Sequence, residues 1–179
     1  MEPMEAVALN LPPIDEERLW TLFAKAEELG LRLEMTDSGM TWEAMPGQRH
    51  QELTLSIVNS IRPPDGGERE CGCHRVFDVA VWLRDGTVKR PDVSIFCARP
   101  PEDDGFVHAV PEAVVEITIP GYEEKDLIHG PPLYLRNGVK DVLVLDRRDG
   151  TVHRFTPEGK TMHPSPTDFE LSCGCRVTV

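Results

Sequence analysis

The chain has 179 residues, room for one domain with a core of its own. Hydrophobic residues make up 40% and charged residues 28%, too apolar for a disordered chain, and no apolar stretch reaches the roughly 18 residues that a membrane-spanning helix needs. A formal net charge of −12 repels nucleic acid from most of the surface, so any nucleic-acid role needs a local basic groove or a cation bound among the acids.

The start "MEPMEAVALNLPP" has acids and no Lys or Arg, unlike a secretory leader, which leads us to expect a cytoplasmic protein. "PPIDEERLWTLFAKAEELG" predicts an amphipathic helix, capped by Asp15, apolar at Leu19, Leu22, Phe23 and Ala26, and stopped at Gly30. "LRLEMT" and "MTWEAM", split by "DSG", predict a hairpin, and "QRHQELTLSIVNSI" predicts a second helix ended by "RPPDGG". "RVFDVAVWLRDGTVKRPDVSIFCA" predicts two strands around a turn at Asp85-Gly86. After the loop "RPPEDDGFVHAVP" comes the strand "EAVVEITI". "YEEKDLIHGPPLYLRNGV" has a helical face at Leu127, Leu133 and Tyr134, which Pro131-Pro132 should break. "KDVLVLD" and "TVHRFT" predict a hairpin over "RRDG", and "FELSCGCRVTV" a final strand. Helix, hairpin, helix, strands, helix, strands predicts a single α/β (α+β) domain over 1–179, with a mixed central sheet flanked by helices.

Asp92 directly follows Pro91 at the mouth of the strand "VSIF", and Glu116 lies near the end of "EAVVEITI". In neighbouring strands these carboxylates face each other, repel, and call for a hard divalent cation such as Mg²⁺ or Mn²⁺ between them. Such a cation polarises a phosphodiester and lowers the pKa of an attacking water. The plainer alternative is a pair of strand-end acids facing solvent.

The order "EMTDSGMTWEAMP…RHQEL", "VKRPDVSIF", "PEAVVEITIPGYEEKDLIHG" and "LYLRNGVKDVLVLD" resembles the Uma family, whose members are described as putative restriction endonucleases, a branch of the PD-(D/E)XK nuclease superfamily. The resemblance rests most on Pro91-Asp92, Glu116, Asp126 and the run from Tyr134 through Gly138-Val139 to Asp146, with Glu34, Gly39, Pro46 and His50 in the first hairpin and helix. It implies a restriction-endonuclease-like core in which Asp92 and Glu116 hold Mg²⁺, helped by the main-chain carbonyl of Ile117. It also implies DNA as substrate, a homodimer, and a lysine that orients water. The superfamily often places that lysine two residues after the glutamate, where this chain has Thr118. The family commonly places it four residues after the aspartate matching Asp126, where this chain has Gly130. The family's "Ser-Pro-Ser" is Ile119-Pro120-Gly121 here. Lys125 is the candidate replacement, with a solvated helix charge as the alternative, and His50 and Glu34 are candidates for the outer shell. The resemblance therefore implies either a metal-dependent endonuclease or a non-catalytic binding or structural module on the same fold.

Four of the five cysteines form two copies of "CGC", Cys71 to Cys73 and Cys173 to Cys175. In a reducing compartment four thiolates on two tight turns suit tetrahedral Zn²⁺ at Cys71, Cys73, Cys173 and Cys175. Disulfides and unrelated thiols are the alternatives, and Cys97 reads as buried packing.

Overall fold

The computed structural model describes residues 15–36, 38–64, 71–102 and 104–179. The acidic start, Asp37 of the first turn and the "DGG" half of the "RPPDGG" terminator lie outside the described residues. Helix α1 (Glu16–Glu28) begins where the Asp15 side chain accepts a hydrogen bond from the Arg18 N–H at 2.9 Å, and it buries Leu19, Phe23 and Ala26. That face packs with Leu33, Val88 and Phe106, over a four-stranded sheet ordered β2-β1-β5-β4. Strands β1 (Leu31–Thr36) and β2 (Gly39–Ala44) are the expected hairpin, followed by α2 (Gln48–Ser60).

The stretch expected to give two strands gives four short ones: β3 (His74–Phe77), β4 (Val81–Trp82), β5 (Val88–Lys89) and β6 (Val93–Phe96). Asp78, in the left-handed region at φ 55°, ends the first piece, and Pro91 lacks the N–H to carry β5 into β6. The chain thereby crosses from one sheet to the other within a few residues.

The central sheet has six strands in the order β10-β9-β8-β7-β6-β3. Strands β7 (Ala113–Ile117) and β8 (Asp141–Asp146) run parallel, and every other pairing in this sheet is antiparallel. Their sequences "AVVEI" and "DVLVLD" are buried at every position, because both sheet faces are covered. On one face Ile57, Val58 and Ile61 pack against Val93, Val115, Ile117 and Leu143. On the other, Leu133 and Tyr134 pack against Val114, Val142 and Val144.

The connection from β7 to β8 is not broken at its prolines. A π-helical turn (Lys125–His129) leads directly into α3 (Gly130–Arg136), with Gly130 N–H bonded back to Lys125 C=O. A wider turn spares the carbonyls that the Pro131 and Pro132 rings would strike in a regular helix. Strand β9 (Thr151–Thr156) pairs with β8, and β10 (Gly159–Pro164) is an exposed edge strand that the sequence reading missed. The tail is a small hairpin, β11 (Asp168–Glu170) and β12 (Arg176–Thr178), instead of one strand.

Candidate active site

Strands β6 and β7 pair antiparallel with Val93 opposite Val115, so one step further along the same register sets Asp92 opposite Glu116. The two are locked together by backbone. The Asp92 N–H donates to Glu116 Oε2 at 3.2 Å, and the Ile117 N–H donates to Asp92 Oδ2 at 2.8 Å. His50 Nε2, from the first turn of α2, lies 2.8 Å from Asp92 Oδ1, and a carboxylate oxygen accepts, which makes His50 the Nε2–H donor. Tyr134 of α3 donates its hydroxyl to Glu116 Oε1 at 2.5 Å. All four side chains are buried, so the strand-end acids do not face solvent.

Charged side chains from both sheets surround this pair. Arg32 of β1 lies 3.4 Å from Asp92, 3.6 Å from Glu43 and 3.0 Å from Asp78. Lys89 of β5 holds Glu34 at 2.6 Å with its ammonium 5.8 Å over the Tyr134 ring. Arg90 closes the edge against Asp78 at 2.9 Å and against Glu27. Around the pair, and setting aside the more exposed Glu27 at the edge, the carboxyls of Glu34, Glu43, Asp78, Asp92, Glu116 and Asp126 thus outnumber the cations Arg32, Lys89, Arg90 and Lys125 by two.

The shortfall appears in the titration of two acids. Burial, then Asp92 and Asp126, push the Glu116 carboxyl far above the usual range. Burial also pushes Asp126 up, Lys125 pulls against it, and Glu43 and Asp92 reinforce the rise. Glu34 goes the other way: burial opposes its charge, but Lys89 and Lys125 outweigh it and hold the group at about 2. Burial, then Glu116 and Glu34, raise the Tyr134 hydroxyl, which keeps it a donor. A site two positive charges short, with hard oxygen donors at its centre, suits a divalent cation, which Asp92 and Glu116 could hold.

Lys125 is no solvated helix charge. Its ammonium lies 2.9 Å from Glu43, 3.3 Å from Glu34 and 3.9 Å from Asp126, and these acids raise its pKa against the opposing effect of burial. Thr118 is buried, and its hydroxyl accepts from the Arg147 N–H at 3.0 Å. Gly130 occupies the first position of α3 with no side chain to offer. Two cavities flank the carboxylates. One of about 300 Å³ is lined by His50, Asp78, Asp92, Leu55 and Phe77. The other, of about 400 Å³, is lined by Arg32, Glu34, Glu43, Lys89, Lys125 and Trp42.

The sequence reading missed Arg32 and Lys89. Their signal was a basic residue two before Glu34 in β1 and another three before Asp92.

The cysteines lie elsewhere, and all five converge. Cys71 pairs with Cys97 and Cys73 with Cys175 in disulfides, and Cys173 is a half-buried free thiol. Cys97 therefore belongs to the sulfur cluster, which the packing reading did not anticipate.

Residues 20–172 match the family Uma2, described as "Putative restriction endonuclease". Among solved structures, a crystal structure from Anabaena variabilis described as "a putative nuclease belonging to DUF820" shares the fold. Its TM-score is 0.62 at 17% identity, over 80% of this chain and 83% of that one. No curated protein matches the chain. Among the described residues, no helix is long and apolar enough to cross a membrane. With a family match over most of its length and a nuclease-like fold, the chain belongs to the Uma2 family of restriction-endonuclease-like proteins.

Proposed function

We propose that this chain is a metal-dependent endonuclease that hydrolyses phosphodiester bonds in DNA. The observation that carries this is the pair Asp92 and Glu116, opposed across β6 and β7 inside a cluster that lacks two positive charges. Asp92 and Glu116 would hold Mg²⁺ or Mn²⁺, which, when bound, activates water and stabilises charge on the scissile phosphate. The chain's own groups do the positioning. His50 and the Ile117 N–H orient Asp92, Tyr134 orients Glu116, and Lys89 keeps Glu34 charged beside them. Lys125, on the wall of the larger cavity, is the cation we assign to the phosphate side in place of a lysine at Thr118 or Gly130. Exposed Trp42 on the same wall offers a face for an unstacked base. Two such sites, one for each strand, would cut a duplex in a single encounter, and on analogy with nucleases of this fold we infer action as a homodimer.

A second reading, a non-catalytic nuclease-fold module, draws on the hold that Glu34 and Glu43 already have on Lys125. Incubation with supercoiled plasmid and with a single-stranded oligonucleotide, in Mg²⁺ or Mn²⁺, separates the two. Endonuclease action predicts cleavage that chelation stops and that Asp92→Ala and Lys125→Ala abolish. No cleavage of either substrate under either metal favours the module.

A further inference from the structure

The five cysteines come from three separate stretches of chain and meet on the side of the central sheet that carries α2 and β12. The sulfurs of Cys71, Cys73 and Cys175 all lie within 4.8 Å of one another, and so do those of Cys71, Cys97 and Cys173. Cys71 belongs to both groups, and its sulfur is 3.4 Å from that of Cys175. Cys71, Cys73 and Cys175 are at most 4% exposed.

Both turns are shaped to present thiols inward. At Gly72 a Cβ would come 2.5 Å from His74 Nε2 and 2.8 Å from the Cys97 carbonyl, so only glycine lets this turn lie against Cys97. Cys73 itself is left-handed at φ 47°, an uncommon conformation for a residue with a side chain. Opposite, Gly174 at φ 85° closes the second turn, where the Leu171 N–H bonds the Cys175 carbonyl at 2.8 Å. A cavity of about 760 Å³ bordered by Gly72, Cys73, His74 and Arg75 gives solvent a route to the cluster.

We propose that in the reduced chain this cluster is a tetrathiolate zinc site, with Cys71, Cys73 and Cys175 as three ligands and Cys173 as the fourth. Tetrahedral Zn²⁺ with Zn–S bonds of about 2.3 Å sets its sulfurs roughly 3.8 Å apart; Cys71, Cys73 and Cys175 already lie within 4.8 Å of one another, and Cys173, within 4.8 Å of Cys71, is the sulfur that has to turn towards them. Cys97 is the spare sulfur, and the two disulfides are the oxidised form of the same nest. Each disulfide is opened by one dithiol, which gives two electrons and two protons and leaves as its own disulfide. Zn²⁺ then displaces the protons of the four ligand thiols, while Cys97 keeps its own. The site ties β12 to β3, the edge strand of the central sheet.

The test uses the full-length chain purified with a phosphine reductant, which does not compete for zinc, in zinc-supplemented buffer and then desalted. Elemental analysis should find close to one zinc per chain. Alkylation followed by mass spectrometry should modify one cysteine, Cys97, before chelation and all five after it. Cys97→Ser should keep the zinc and Cys173→Ser should lose it. Metal-free protein with five reactive thiols overturns the site, as does iron with sulfide in place of zinc. Zinc lost in Cys97→Ser and kept in Cys173→Ser overturns the ligand set. Should either variant fold poorly, the stoichiometry and protection pattern of the wild type decide alone.

Discussion

Glu116→Gln isolates what the buried carboxyl costs the metal-free protein. The Glu116 carboxyl is pushed up to about 8, while an unfolded chain titrates it near 4.3. The raised value means that the folded chain holds a proton the unfolded chain has released. The stability this confers is full below the unfolded value and drains away as pH rises towards the folded one. The slope within that window is about 1.4 kcal/mol per pH unit for one proton. Asp126 is raised in the same sense, so its contribution adds to the slope and persists in the variant. Gln cannot accept from both Tyr134 and Asp92 N–H, so Glu116→Gln should start less stable at pH 5. Its profile should nonetheless be shallower than the wild type's by about 1.4 kcal/mol per unit between pH 5 and 8. Urea denaturation in the presence of a chelator measures both curves, and Mn²⁺ should flatten only that of the wild type. Parallel curves for the two proteins would refute the assignment of an uncompensated proton to Glu116.

Lys89→Met removes the 2.6 Å partner of fully buried Glu34 and should cost about 3–5 kcal/mol in urea denaturation. Lys125→Met leaves Glu34 its Lys89 partner and Glu43 its Arg32 partner and should cost less; a larger loss than for Lys89→Met contradicts the ranking. Because Lys89 and Lys125 hold Glu34 at about 2, the stability it contributes is present above the unfolded value and lost as pH falls below about 4, which acid-denaturation curves of wild type and Glu34→Gln compare. Trp42→Ala should weaken binding of a single-stranded oligonucleotide by about 1–3 kcal/mol with an unchanged melting temperature, read by fluorescence anisotropy; unchanged affinity removes Trp42 from the binding surface.

The helices and the central strands were legible because their apolar periodicity coincides with burial. Leu19, Phe23 and Ala26 face the core as their spacing predicts, whereas Leu22, expected on the same face, is exposed, and the unbroken runs of β7 and β8 announce a sheet covered on both sides. Asp92 and Glu116 were legible as neighbours, but the groups that govern them were not. In β1, Arg32 and Glu34 alternate with Leu31, Leu33 and Met35, the pattern of a strand with a wet face, yet both charged residues are buried. Alternation reports two faces and cannot say that the polar one lines a site. Strand β10, "GKTMHP", has no apolar period, since an exposed edge strand needs only backbone partners. The π-helical turn before Pro131 was hidden because proline in a sequence announces a lost hydrogen bond, and a shift of register to absorb it leaves no mark in composition.

The most direct measurement is anomalous diffraction from crystals of the wild-type protein soaked in Mn²⁺ near pH 8. The account predicts a peak within coordination distance of carboxylate oxygens from both Asp92 and Glu116, absent in Asp92→Ala. A protein that takes up Mn²⁺ elsewhere, or not at all, with Arg32 still against Asp92, contradicts it.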